Sequence, residues 1–119
     1  MSAQANDAGL VDWIVVGRTD EVPSRGARVV RAPSGDIAIF RTTEGAIFAL
    51  RDRCPHKGGP LSQGIVHGEA VTCPLHNWVI CLKTGEALGA DKGCTPKIPV
   101  RIEDGKVLLP AAVLAAAAA

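Results

Sequence analysis

Apolar residues fall in short runs broken at regular intervals by turn residues, and this pattern predicts strands. Trp13–Val16, Ala27–Ala32, Ile37–Arg41 and Ala46–Leu50 are aliphatic or β-branched runs, separated by Pro23, Pro33-Ser34-Gly35 and Glu44-Gly45. Together they predict a meander of hairpins. Near the other end Ile98, Val100 and Ile102 alternate with Pro99 and Arg101, and Asp104-Gly105 turns the chain back into Val107–Leu109. This is the clearest hairpin signal, with Pro99 expected at an edge or unpaired position because it has no N–H to give. No helical period is sustained before Ala111–Ala119, and no internal repeat is found. The predicted fold class is all-β, one domain over residues 1–119, with 110–119 a flexible or weakly helical tail.

Composition narrows the function classes. Thirteen Lys and Arg against twelve Asp and Glu leave a net charge of +1, which supplies no basic field for nucleic acid or an anionic membrane surface. With two Phe, two Trp and no Tyr, the core must be aliphatic, and thirteen Gly with eight Pro suit short strands joined by turns. Met1–Gly9 carries neither a basic residue nor an apolar stretch of signal length, and the alanine tail is too short to span a bilayer. A cytoplasmic, reducing setting is expected. Cysteines there are first metal ligands or separate thiols, so a Cys81–Cys94 disulfide is not the expectation.

The segment 51–82 differs from both flanks, with all three His, three of the four Cys and many Gly and Pro. It predicts loops mounted on the sheets, where sites usually sit. Cys54-Pro55-His56 is followed after sixteen residues by Cys73-Pro74-Leu75-His76, giving C-x-H and then C-x-x-H. Zinc fingers draw paired thiolates from one element and paired imidazoles from another, whereas here each element offers one of each. Two mixed loops facing one another suit a two-iron two-sulfide cluster with both Cys on one iron and both His on the other. A structural zinc site is the alternative. Pro55, Gly58, Gly59, Pro60 and Pro74 allow tight turns whose N–H groups can point at sulfur.

These boxes resemble those of the Rieske proteins. The resemblance implies an antiparallel β base of two small sheets with an inserted cluster-binding subdomain, here about 51–82. It also implies Cys54 and Cys73 as ligands of one iron and His56 and His76 as ligands of the other. High-potential members carry an extra Cys in each box and a Ser after the second His; Gly59, Leu75 and Asn77-Trp78 stand in those places. A potential in the lower part of the roughly −150 to +300 mV Rieske range is therefore expected.

Cys54–Ile80, with Thr84-Gly85-Glu86-Ala87 and Gly89–Cys94, is more specifically similar to the small subunits of assimilatory NAD(P)H-dependent nitrite reductases. That likeness implies an electron-transfer subunit with no catalytic residues of its own. Its partner would be a large subunit bearing flavin, a 4Fe-4S cluster and sirohaem that reduces nitrite to ammonia. The alternative is a free-standing ferredoxin serving a ring-hydroxylating dioxygenase, although such ferredoxins more often show Gly where Asn77 stands.

Four further expectations concern the surroundings. His67 lies in a turn between the boxes and is not needed as a ligand. Trp78 packs beneath the cluster loop and excludes water. Arg51, Arg53 and Lys57 around the first box are either solvated charges or a patch that steers an acidic partner. The long connection Glu86–Lys97 covers the cluster region.

Overall fold

The computed structural model describes residues 12–33, 35–54, 60–74, 77–88 and 93–114. Ten strands are seen among them: β1 (Trp13–Arg18), β2 (Gly26–Val30), β3 (Ile37–Arg41), β4 (Ile47–Arg51), β5 (Ile65–His67), β6 (Ala70–Thr72), β7 (Val79–Cys81), β8 (Lys97–Ile98), β9 (Arg101–Glu103) and β10 (Lys106–Pro110). All pairings between them are antiparallel, in three sheets ordered β1-β10-β9, β2-β3-β4-β8 and β5-β6-β7.

The four-stranded sheet separates two cores. In β3 the side chains alternate between its faces, Ala38 and Phe40 on one and Ile37 and Ile39 on the other, and all four are buried. An unbroken apolar run is what a strand covered on both sides requires. Ala38, Phe40 and Leu50 meet Val66, Val71 and Ile80 of the β5-β6-β7 sheet. Ile37, Ile39 and Ala49 meet Val107 and Leu109 of β10. Each fully buried Ile, Leu or Phe contributes about 1.5–3 kcal/mol by leaving water.

The predicted meander holds for β2-β3-β4, but β1 pairs with β10, aligning Trp13 with Pro110 and Arg18 with Lys106. The cause lies between β1 and β2. A 3-10 turn at Thr19–Glu21 and the buried Val22 carry the chain from one sheet to the other, so no tight hairpin forms. At the Asp104-Gly105 turn the hairpin is as expected: Glu103 faces Lys106, and the two turn residues have φ of 51° and 75°. Positive φ at both is the type I′ signature.

Ile98 and Ile102, which the alternation places in one strand, belong to different sheets. Ile98 is buried against β4, while Ile102 is 45% exposed on β9. Pro99 lies in neither strand, and the chain changes sheets there. The region predicted as loops contains β5, β6 and β7, each three residues long. Of the tail expected at 110–119, Pro110 is instead the buried last residue of β10 and Ala111–Leu114 form α1, whose Val113 and Leu114 pack on the second core, while 115–119 lie outside the described residues.

Candidate metal centre

Both candidate thiols emerge from strands into one core. Cys54 stands three residues beyond β4 and Cys73 directly after β6; each is 1% exposed. They share a buried cluster with Phe40, Leu50, Leu61, Val66, Val71, Ile80 and Leu82, and Trp78 packs against it as expected. Neither is in a disulfide. His56, His76 and Lys57 lie outside the described residues. Accordingly, no three His, Cys, Asp or Glu side chains converge among the described residues.

The two thiols fit the cysteine half of a two-iron two-sulfide donor set. They are soft sulfur donors, not joined in a disulfide, held on adjoining loops at one dry core. A coordinating metal would take both as thiolates.

Backbone bonds hold the bases of both loops. At the first, the Arg51 N–H donates to Pro96 O (3.0 Å) and the Asp52 N–H to Asp36 O (2.9 Å). At the second, the Cys73 N–H donates to Trp78 O (2.6 Å). Asn77, between them, has φ of 59°. Asn and Gly are the residues that tolerate this left-handed conformation most readily.

His67 ends β5 on the surface, with Nε2 2.7 Å from Thr72 Oγ1 across the β5-β6 pair. Replacing it with alanine is expected to leave the visible spectrum of the loaded protein unchanged; loss of absorbance in His67→Ala would make it a ligand.

Arg51 is neither a solvated charge nor part of a steering patch. It is half-buried, and its guanidinium donates to Gly35 O (2.8 Å) and Val113 O (3.4 Å), tying together the β2-β3 connection and α1. A guanidinium with its donors engaged on backbone carbonyls is a structural tie. Arg53 remains exposed.

The connection after β7 folds back on itself. Cys81 N–H donates to Glu86 O, Ala87 N–H to Gly93 O and Thr95 N–H to Gly85 O, while Glu86 bridges Cys94. Cys81 and Cys94 therefore stand on either side of the Glu86 strand segment, roughly 10 Å apart. That exceeds the Cα separation a disulfide allows, and both are free.

Burial pushes the Cys81 thiol up, but the Thr84 hydroxyl and the N–H groups of Thr84 and Lys83 outweigh it and hold the thiol below its ordinary range. More thiolate is then present near neutrality. Alkylation of Cys81 by iodoacetamide, followed by peptide mass analysis, is expected to rise at lower pH than for a free thiol. Thr84→Val should move that rise upward.

Sequence reasoning missed Asp52 and Ser62. Asp52 Oδ1 accepts from the Ser62 N–H and Oδ2 from its hydroxyl, both at 2.7 Å. Their separation of ten positions follows no periodicity, so nothing in the spacing marks the pair.

Comparison with known proteins bears on this arrangement. Residues 12–99 match the Rieske [2Fe-2S] domain family. The chain is 37% identical over 103 residues to the 3-phenylpropionate/cinnamic acid dioxygenase ferredoxin subunit of Photorhabdus laumondii, covering 81% of this chain and 91% of that protein. It is 36% identical over 94 residues to the 4beta-methylsterol monooxygenase of Methylococcus capsulatus, covering 75% of this chain but spanning only 26% of that longer protein. Among solved structures, the Sphingomonas yanoikuyae B1 ferredoxin superposes with a TM-score of 0.74 at 22% identity, covering 83% of this chain and 98% of that one. A Mycobacterium tuberculosis protein provisionally assigned as an NADH-dependent nitrite reductase small subunit also gives 0.74 at 22% identity, covering 84% and 95%. The equal scores establish a shared fold and do not discriminate between these neighbours.

Proposed function

The chain belongs to the Rieske [2Fe-2S] family, and from that premise we propose that it is the electron-transfer subunit of an assimilatory NAD(P)H-dependent nitrite reductase. Its cofactor is a Rieske-type 2Fe-2S cluster. In this proposal Cys54 and Cys73 hold one iron and His56 and His76 the other, within a cluster-binding subdomain of about 51–82 in a single domain. When bound, the cluster supplies one-electron transfer. The protein's part is to keep that centre dry with Trp78, Leu61 and Phe40 and to present it beside the loop ends.

The supporting observation is the stretch beyond the second box. Asn77-Trp78-Val79-Ile80, Thr84-Gly85-Glu86-Ala87 and Gly93-Cys94, which carry the likeness to the nitrite reductase small subunits, are folded against one another by the Ile80–Ala87 and Glu86–Cys94 bridges. They form one folded segment, joined to the Cys73 loop by the Cys73 N–H bond to Trp78 O. Nitrite reduction to ammonia consumes six electrons delivered in pairs by nicotinamide, so one-electron centres must stand between donor and substrate. The partner is a large subunit with flavin, a 4Fe-4S cluster and sirohaem, and the setting is cytoplasmic; no helix among the described residues is long and apolar enough to cross a membrane.

The curated relatives favour a second reading, a ferredoxin serving a ring-hydroxylating dioxygenase, because the dioxygenase ferredoxin named above is matched over almost its whole length. Gentle purification of the tagged chain from its native cells separates the two. Co-elution with a sirohaem flavoprotein that reduces nitrite with NADH or NADPH is the expected result. A monomer that instead restores electron supply to an aromatic-ring oxygenase overturns it in favour of the second reading.

A further inference from the structure

We propose that Asp52 is a positioning residue for the first ligand loop, acting through a two-point clamp on Ser62. The inference rests on the assignment of Cys54 and His56 as ligands. It concerns how the loop carrying them is closed.

The outgoing arm of that loop is anchored in the central sheet, where β4 ends at Arg51 and the Asp52 N–H is already bonded to Asp36 O. The returning arm re-enters at Pro60 and belongs to no strand until Ile65. Between them the Asp52 carboxylate places both oxygens on one residue: Oδ1 accepts from the Ser62 N–H and Oδ2 from its hydroxyl, each at 2.7 Å. Both residues are half-buried. Such short, charge-assisted pairs are among the stronger hydrogen bonds of a protein. Ser62 lies in the 3-10 turn Leu61–Gln63, whose Leu61 is buried in the core that holds Cys54 and Cys73. The clamp thus joins the two described arms that flank the span carrying Cys54 and His56, and the returning arm is seated on that core through Leu61.

The second ligand loop is closed differently. It runs between paired strands β6 and β7, and its ends meet through the Cys73 N–H and Trp78 O. A backbone closure survives side-chain substitution, whereas the two bonds that join the described arms of the first loop both end on one carboxylate. Exchange of the cluster with solvent therefore begins at the first loop, and Asp52 sets how readily.

The test measures cluster loss to excess chelator, followed by visible absorbance, and the spin signal of the dithionite-reduced protein. Asp52→Ala is expected to lose the cluster at least about tenfold faster than wild type, with shifted g values, because both bonds vanish. Ser62→Ala keeps the N–H bond and should lose it about threefold faster. Asp52→Asn can accept from the Ser62 N–H and donate to its hydroxyl, so it should stay within about twofold of wild type. Wild-type kinetics and g values in Asp52→Ala overturn the clamp, as does Asp52→Asn behaving like Asp52→Ala, which would place the effect in the charge. If Asp52→Ala takes up no cluster, fast loss in Ser62→Ala with near-normal loss in Asp52→Asn supports the clamp, and the reverse overturns it. His56→Ala serves as the control. A cluster retained there would overturn the ligand assignment itself, while a cluster absent there, beside a wild-type Asp52→Ala, overturns the clamp alone.

Discussion

Substituting His76 with alanine is expected to eliminate the visible absorption of the loaded protein, or leave a damaged cluster with a fraction of it, while most of the β structure persists. The ligand set has no spare member. His67, the remaining histidine, is engaged with Thr72 on the outer edge of the β5-β6 pair. The second core, formed by Val22, Ile37, Ile39, Ala49, Ile98, Val107 and Leu109, contains neither Cys54 nor Cys73, so its burial does not depend on the proposed ligands. Far-UV circular dichroism of His76→Ala should therefore stay close to wild type as absorbance falls. An unaltered visible spectrum would refute the assignment of His76.

The largest stability effect is expected at Gly85. It is buried with φ of 80°, its N–H donates to Cys81 O and its carbonyl accepts from the Thr95 N–H. An added Cβ would collide with the carbonyl oxygen of Thr95. A non-glycine residue in this conformation costs about 1–2 kcal/mol, and overpacking against backbone that cannot yield adds about 1–3 kcal/mol. Gly85→Ala should thus lower stability by roughly 2–5 kcal/mol, read as a fall in the urea midpoint with little change in slope. A loss under about 1 kcal/mol would show that the Thr95 strand yields freely.

Much of this was legible before any coordinates. Runs such as Ile37–Arg41 announce themselves because a strand buried on both faces is apolar throughout, and Asp104-Gly105 names its own turn because positive φ at both central positions suits those residues. The two cysteine-histidine boxes stand out just as locally, and the structure brings their Cys54 and Cys73 into one core, while His56 and His76 lie outside the described residues. What escaped was non-local or very short. Nothing near Trp13 says that its partner is Pro110, and three-residue strands such as Ile65–His67 and Ala70–Thr72 are too brief to show a period. Arg51 looks like a loop charge in sequence; only the approach of Gly35 and Val113 turns it into a tie. Asp52 and Ser62, ten positions apart, meet only in the folded chain.

The central claim is that two turns lend their sulfurs and nitrogens to one pair of irons. Quantifying iron and acid-labile sulfide in the anaerobically purified chain tests it most directly. Two irons and two sulfides per chain are predicted, in a brown protein that dithionite bleaches to a rhombic spin signal. A colourless chain holding one zinc and no sulfide would contradict it.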